Sequence, residues 1–406
     1  MRVIYIDVNC KNSSTGKIVY DLYAQLRADG HEAAVCYGRG PLIKEENVFK
    51  FGIDYETYLH AALTRITGWT GCFSPLSTRR LLKFMDEFRP DVIHLHEPHA
   101  YFVNLKPLFR YIKEKNIPLV YTFHCEFAYT GKCGHAYECE NWKTGCGNCP
   151  RLGEYPKTMW FDHTAAMLRE KENLLTAIKN FTIAAPSKWL ANRAAQSVLK
   201  DRDIRIVRNG IDVQNVFHPR KSEHLLAKHG LHDEKIVLAV APDLMSDSKG
   251  GRWVLKLAEK FAGEKVKFIL VGVDDLSEQF PENVIALGRT SNQVELAEYY
   301  SLADCFVICS ARENFPTTCL EAFCCGTPVT GFAAGGTAET VPDPYGCFCE
   351  YADVEALAEL VRGALSKNFS REETAAYAAS LYSKYIMYSQ YLNIYQELMS
   401  NKRSSL

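Results

Sequence analysis

The stretch Lys235–Val273, KIVLAVAPDLMSDSKGGRWVLKLAEKFAGEKVKFILVGV, holds two β-branched apolar runs, Ile236 to Ala241 and Val266 to Val271, on either side of a small polar loop and a helical pattern over Trp253 to Phe261. A strand, a helix of that length and a second buried strand make a parallel crossover unit, because parallel strands need a long connection between them. The rhythm continues with a helix over Gln293 to Ser301, a strand over Cys305 to Cys309, a helix over Thr318 to Cys325 and a strand over Pro328 to Gly331. Upstream the same alternation is already present: strand Val3 to Val8, helix Lys17 to Asp29, strand Ala33 to Tyr37, then strands Asp91 to Leu95 and Leu119 to Phe123. Two successive α/β sheets are predicted. The polar stretch Asn209 to His232, with Gly210, Pro219 and Gly230, follows a strand over Ile204 to Val207 and reads as the hinge between them. At the C-terminus, Tyr385, Tyr388, Tyr391, Leu392, Tyr395 and Leu398 mark a long amphipathic helix that needs an apolar partner surface.

Composition narrows the function classes. The chain has 406 residues, 47% hydrophobic and 23% charged, which is enough for two or three self-sufficient cores. Its 47 Lys and Arg against 48 Asp and Glu give a net charge of −1, so no global field points to nucleic acid as a partner. The opening MRVIYIDVNC carries Asp7 inside its apolar run and resembles no export signal, and no apolar run approaches the roughly 20 residues of a membrane span. A cytoplasmic location is expected. The 15 cysteines are odd in number and read mostly as small buried hydrophobes, with one cluster set apart.

In parallel sheets ligands bind beyond the carboxyl ends of strands, where loops meet helix N-termini whose amides attract anions. Three loops stand there. Asn12-Ser13-Ser14-Thr15-Gly16-Lys17 opens the first helix and suits either a structural turn or a phosphate. Ser246-Asp247-Ser248-Lys249-Gly250-Gly251 offers a cation and two glycines, fit for a diphosphate or a solvated turn. Glu313-Asn314-Phe315-Pro316-Thr317-Thr318-Cys319-Leu320-Glu321 sets two carboxylates eight residues apart around a strand-to-helix turn, able to accept hydrogen bonds from paired sugar hydroxyls.

ENFPTTCLEAFCCGTPV, together with SDSKGG, VRNGID and PSKWLA, resembles the retaining sugar-nucleotide transferases of glycosyltransferase family 4, over nearly the whole chain. The resemblance implies the GT-B fold: two Rossmann-like domains with parallel sheets facing a central cleft, and a C-terminal helix crossing back. The expected division is an acceptor-side domain over 1–212 with a cysteine-rich insertion at 125–150, a nucleotide-sugar domain over 213–380, and the returning helix over 381–406. It also implies roles. Glu321 binds the ribose; Glu313, with the backbone of Asn314, Phe315, Pro316 and Thr317, the transferred hexose; Lys249 the diphosphate; Gly288 and Arg289 the edge of the base; and Gly16 phosphate or acceptor. Thr122-Phe123-His124-Cys125 resembles the family's T-x-H-D, which makes His124 catalytic beside Glu313 and Lys249, with a core histidine as the alternative. Cys125 stands where relatives carry Asp, and Glu126 follows. The arginine usual before the lysine is missing, with Arg252 or Arg289 as substitutes. The run His94-Leu95-His96-Glu97-Pro98-His99 reads as cleft lining, and Asp201-Arg202-Asp203 as a solvated turn rather than a Mg²⁺ site. Catalysis is therefore expected to need no cofactor.

The expected reaction is metal-independent, retaining transfer of a hexose from a UDP- or GDP-sugar to a glycan or lipid-linked oligosaccharide acceptor in surface polysaccharide biosynthesis. A sugar-nucleotide epimerase or a nucleotide-sugar-binding scaffold is the alternative. Cys133, Cys139, Cys146 and Cys149, spaced x5, x6 and x2, suit a structural zinc site, with a redox Cys-Gly-Asn-Cys pair or inert thiols as alternatives. Their segment also resembles an insertion in family 4 enzymes of capsular and exopolysaccharide pathways, colanic acid transferases among them. Arg79-Arg80-Leu81-Leu82-Lys83-Phe84 is either an ordinary helix face or a weak peripheral contact with the inner face of a membrane.

Overall fold

The computed structural model describes residues 1–404. The chain divides into two compact units, Met1–Arg208 together with the chain from Met387 onward, and Asn209–Ile386. The first holds strands β1 (Arg2–Asp7), β2 (Glu32–Tyr37), β3 (Val48–Lys50), β4 (Val92–Leu95), β5 (Leu119–Thr122), β6 (Phe181–Ala185) and β7 (Asp203–Ile206), all parallel, in the order β3-β2-β1-β4-β5-β6-β7. The second holds β8 (Lys235–Val240), β9 (Val266–Val271), β10 (Val284–Leu287), β11 (Cys305–Ile308), β12 (Val329–Phe332) and β13 (Gly346–Cys349), also parallel, in the order β10-β9-β8-β11-β12-β13.

Each order reverses direction after the first strand, between β1 and β4 and between β8 and β11. In doubly wound sheets the loops leaving that pair of strands splay apart and open a crevice for ligands. Burial follows the strand period of two on both faces. Ile4 and Ile6 of β1 join one core while Val3 and Tyr5 join the other, and in β8 Ile236 and Leu238 alternate likewise with Val237 and Ala239.

The helix Lys384–Ser404 buries Met387, Tyr388, Tyr391, Ile394, Tyr395 and Leu398 in the core of the first unit; Tyr385, expected on that stripe, is exposed. Hydroxyls anchor it: Tyr395 pairs with His94 Nδ1 and Tyr391 with Thr122, each at 2.7 Å, and Tyr388 donates to Asp29 at 2.7 Å. The stretch read as a hinge is not a linker. The division falls at its first residue, and Ile211, Phe217, Leu225 and Leu231 pack into the second core around a helix at Glu223–His229. Apolar residues spaced among polar ones made it look solvated. The divisions lie at 208/209 and 386/387, against the 212 and 380 read from sequence.

Candidate active site

In the second unit the loop after β8 and the loop after β11 flank the switch point, and backbone bonds tie them together. Ala311 N donates to Ser248 O at 2.9 Å, while Lys249 N and Gly250 N turn back onto Ser246 O. Gly250 has φ +75°, and a Cβ there would stand 2.1 Å from Cys309 O, so only glycine lets this loop lie against β11. The result places Lys249 Nζ 2.7 Å from Glu313 Oε1, with the two side chains 32% and 17% exposed. Glu313 is held by its own backbone: it bridges to Gly335, and Gly336 N donates to its carbonyl at 2.9 Å. Gly335, at φ +74°, would push a Cβ to 2.2 Å from that carbonyl.

Phe315 and Pro316 are buried, and Phe315 packs on Tyr382, so their side chains belong to the core. Thr317 begins the helix Thr317–Cys324, which directs its positive end at the same loop. Glu321 lies one turn on and accepts a hydrogen bond from the buried Tyr300 hydroxyl at 3.0 Å, which fixes its rotamer. Gly288 and Arg289 are exposed just beyond β10. Of the substitute cations, Arg252, on the following helix, pairs with Asp247 of the loop. The half-buried Arg312 sits next to Glu313 in sequence with its side chain against Gly335, and the sequence reading passed over it.

In the first unit, a pocket of about 430 Å³ is lined by Ser13, Thr15, Glu97, His99, His124 and Cys125, and by Cys133, Gly134, His135 and Tyr137 of the insertion. Its floor is charged. Asp7, fully buried at the end of β1, accepts from Glu97 N, Asn9 N and the Thr15 hydroxyl. Burial, aided by the nearby Glu97 charge, pushes its carboxyl up to about 7. Burial also pushes Glu97 up, but the charge and hydrogen bond of His99 outweigh it and hold that carboxyl at about 2. Cys125 points at the same Glu97 oxygen, 3.7 Å away, and the ligand atoms of Glu97, His99 and Cys125 lie within 4.8 Å of one another. His124 Nε2 meets His96 Nδ1 at 2.9 Å, and burial lowers its ring to about 4, so it is a neutral hydrogen-bonding group at the pocket wall.

Several sequence readings are corrected. His94 and His96 are core residues rather than lining: His94 is fully buried between Tyr395 and Thr122, and burial holds both rings well below the usual histidine range. Gly16 is buried in the first turn of the helix Ser13–Ala28, its amide on Ser13 and its carbonyl on Lys11 N, so it packs the loop while Ser13 and Thr15 face the pocket. Glu126 is fully buried against Arg193 Nε at 2.6 Å and Ala136 N at 2.7 Å; it anchors the insertion. Asp203 starts β7 and accepts from Thr182 and Arg205, which leaves Asp201-Arg202-Asp203 as the turn expected. Asp7 was missed as well. It reads as one more strand residue, and only the switch-point topology shows that it ends under a pocket.

In the insertion, Cys133, Cys139, Cys146 and Cys149 line one small cavity, and Cys133 donates a hydrogen bond to Cys149, which lowers the pKa of the Cys149 thiol. None of the 15 cysteines is in a disulfide.

Two switch-point crevices on parallel sheets, one carrying a cation and two spaced carboxylates, are the architecture expected of a GT-B glycosyltransferase. Comparison with known proteins agrees. Residues 15–215 match the family described as Glycosyltransferase Family 4, and residues 222–381 match Glycosyl transferases group 1. The chain is a glycosyltransferase, similar to family 4 over its first unit. It is 28% identical to a protein named as the colanic acid biosynthesis glycosyl transferase WcaC of Escherichia coli (strain K12), over 76% of this chain and 77% of that one. Among solved structures, sucrose-phosphate synthase of Thermosynechococcus elongatus shares the fold with a TM-score of 0.72 at 16% identity, covering 99% of this chain and 100% of the other. Anabaena HepE, solved with UDP-glucose, does so with a TM-score of 0.65 at 16% identity over the full length of both.

Proposed function

We propose that the chain moves a hexose, with retention of configuration, from a nucleoside diphosphate sugar to a glycan or lipid-linked oligosaccharide in surface polysaccharide biosynthesis. The observation that carries this is the Lys249–Glu313 pair at the switch point of the second sheet, with Glu321 one helical turn beyond. A sugar nucleotide is a chain of three groups: ribose, diphosphate, hexose. The unit offers a carboxylate, a cation and a carboxylate to meet them in turn. Lys249 leaves Glu313 for the diphosphate, and the freed carboxylate then accepts from hexose hydroxyls. UDP-sugars are favoured as donors by the likeness to HepE, solved with UDP-glucose, with GDP-sugars second.

Electrostatics does the chemistry. As the glycosidic bond breaks, charge grows on the leaving diphosphate, and Lys249 with the N-terminus of the helix Thr317–Cys324 stabilises that charge more than the ground state. The departing diphosphate takes the acceptor proton on the face from which it leaves, so the anomeric configuration is kept without a protein nucleophile. Glu313 orients the sugar. His124, neutral at pH 7, serves as a hydrogen-bond partner, and Glu97 with His99 forms the polar floor for the acceptor. No step draws on a cofactor.

An acceptor on a lipid requires the chain to work at a membrane surface, on the cytoplasmic side in this reading. Among the described residues no helix is long and apolar enough to cross a bilayer. One helix is built inside out, however. Along Asp54–Thr67 the polar Glu56, Thr57, His60 and Thr64 are buried, and Tyr55, Tyr58, Leu59 and Ile66 face outward. The cause is local: Glu56 accepts from Leu76 N and Ser77 N at 2.8 and 2.7 Å, capping the next helix, Pro75–Phe88. That helix turns Leu76, Arg79, Arg80 and Lys83 outward. Leu81 is in the core and Phe84 stacks on Phe49, so the apolar part of the patch expected at Arg79–Phe84 comes instead from the preceding helix. Tyrosines beside cations suit the headgroup layer of an anionic bilayer.

Acceptor-dependent release of nucleoside diphosphate from a panel of UDP- and GDP-hexoses tests the reading. An epimerase would release it without acceptor, and a scaffold would release none.

A further inference from the structure

The insertion between β5 and the helix Thr164–Thr176 folds around its four thiols. Cys133, Cys139, Cys146 and Cys149 share a cavity of about 20 Å³, room for a water-sized body and for no organic ligand. The last pair sits on a knuckle of consecutive left-handed residues, with φ of +117° at Gly145, +59° at Cys146, +91° at Gly147 and +46° at Asn148. Backbone amides already point at sulfur: Gly131 N to Cys146 Sγ at 3.3 Å, and Arg151 N to Cys149 Sγ. Such donors favour thiolates. Trp142, buried behind them, is locked by a hydrogen bond from Nε1 to Cys139 O at 3.0 Å.

A second observation is independent of spacing. Two lysines are buried beside the cluster. Lys132 Nζ donates to the carbonyls of Leu152, Glu154 and Pro156 at 2.9, 2.8 and 2.7 Å, and Lys171 Nζ to that of Phe127. Carbonyls satisfy their protons but not their charge; the Glu154 carboxylate offsets that of Lys132 only in part, and a buried ammonium short of counter-charge is costly. Cys133 interacts electrostatically with both lysines, Cys149 with Lys132 and Cys146 with Lys171. The competing group, Glu97 with His99 and Cys125, is closed on itself, both neighbours pointing at one Glu97 oxygen.

We propose that Cys133, Cys139, Cys146 and Cys149 bind one Zn²⁺ as a tetrathiolate. The four thiols release four protons on binding, and the resulting dianion neutralises Lys132 and Lys171. Cys133 also lines the pocket that holds His124, so the metal fixes one wall of the acceptor site. The site is structural. It stands on the first unit alone and does not depend on which donor the second unit takes.

Elemental analysis of the full chain, purified without metal-charged resin from zinc-supplemented medium, should give about one zinc per chain. The Cys146→Ser, Cys149→Ser double variant should carry background zinc only. Cobalt refolded into stripped protein should show thiolate-to-metal charge-transfer absorption. Zinc well below one per chain in the wild type overturns the proposal. In that case, free alkylation of all four thiols shows inert cysteines, and a peptide with Cys146 linked to Cys149 shows a redox pair. Should the double variant fail to fold, the wild-type count and the cobalt spectrum still decide.

Discussion

Replacing Lys249 by Met separates a donor-binding cation from a structural ion pair. The Lys249 and Glu313 side chains are 2.7 Å apart but 32% and 17% exposed. At an effective dielectric near 20 their attraction is about 4 kcal/mol at ~4 Å between charges, most of it cancelled by desolvation and side-chain ordering. The net stability lost is then about 1 kcal/mol or less, which moves the melting midpoint by roughly 2–4 °C. Transition-state charge on a diphosphate is another matter. Removing one preorganised charge partner from such a site costs about 10²–10³ in turnover, or ~3–4 kcal/mol. The variant also leaves Glu313 bare beside an incoming diphosphate, so Lys249→Met with Glu313→Gln should bind donor better than Lys249→Met alone. Initial rates of nucleotide release and thermal melts, run on the same preparations, read both quantities. A fall in kcat/KM of less than threefold, accompanied by a midpoint drop of more than about 6 °C, would refute the reasoning and make the pair a structural one.

Gly250→Ala should keep the far-ultraviolet spectrum yet lower turnover at least tenfold, since its Cβ would meet Cys309 O at 2.1 Å and the loop carrying Lys249 must move; wild-type rates would show that the loop's position is irrelevant. Tyr395→Phe removes the hydroxyl 2.7 Å from buried His94 and should cost about 1–3 kcal/mol of stability with kcat unchanged, checked by denaturant melts beside steady-state rates. Asp7 is raised from its ordinary 3.8 to about 7, so the folded state holds an extra proton between those values and loses stability as pH climbs through them. His99, raised above 6.5 by Glu97, adds stability below 6.5 that fades as pH rises, whereas the lowered Glu97 changes only below about pH 4.5. His94, His96 and His124, neutral in the fold, gain stability as pH rises through 6.5 and outnumber these groups, so melting midpoints should rise from pH 5 to about pH 7, and Asp7→Asn should steepen that rise; an unchanged slope counts against the assignment of Asp7. Finally, Tyr58→Ser with Leu59→Ser should weaken sedimentation with vesicles of anionic lipid and leave turnover of a water-soluble acceptor intact, and binding equal to wild type would remove the membrane face.

Most interior strands were legible because both faces of a parallel sheet are buried: Val266–Val271 has the same bounds in sequence and structure, although β6, equally buried, was not read. The edge strands β3, β10 and β13 escaped because they are short and mostly half-exposed, so no continuous apolar run marks them. The helix Asp54–Thr67 hides its polar side to cap a neighbour, which inverts the usual inference from periodicity. Lys249, Glu313 and Glu321 were legible as loop and helix-start residues, yet the hydrogen bonds that join their two loops are backbone contacts that no side-chain pattern announces. Histidine density misled at His94, where the Tyr395 hydroxyl some 300 residues away joins a buried network, and at His96, which is buried against His124.

The most direct test is nucleoside diphosphate release from a panel of UDP- and GDP-hexoses, with water and with lipid-linked saccharides as acceptors, in the wild type and in Glu313→Gln, Glu321→Gln. One donor turned over faster with a saccharide than with water, and at least 10²-fold more slowly by the double variant, is the predicted result. Wild-type turnover in the double variant, or no turnover of any donor by the wild type, would contradict it.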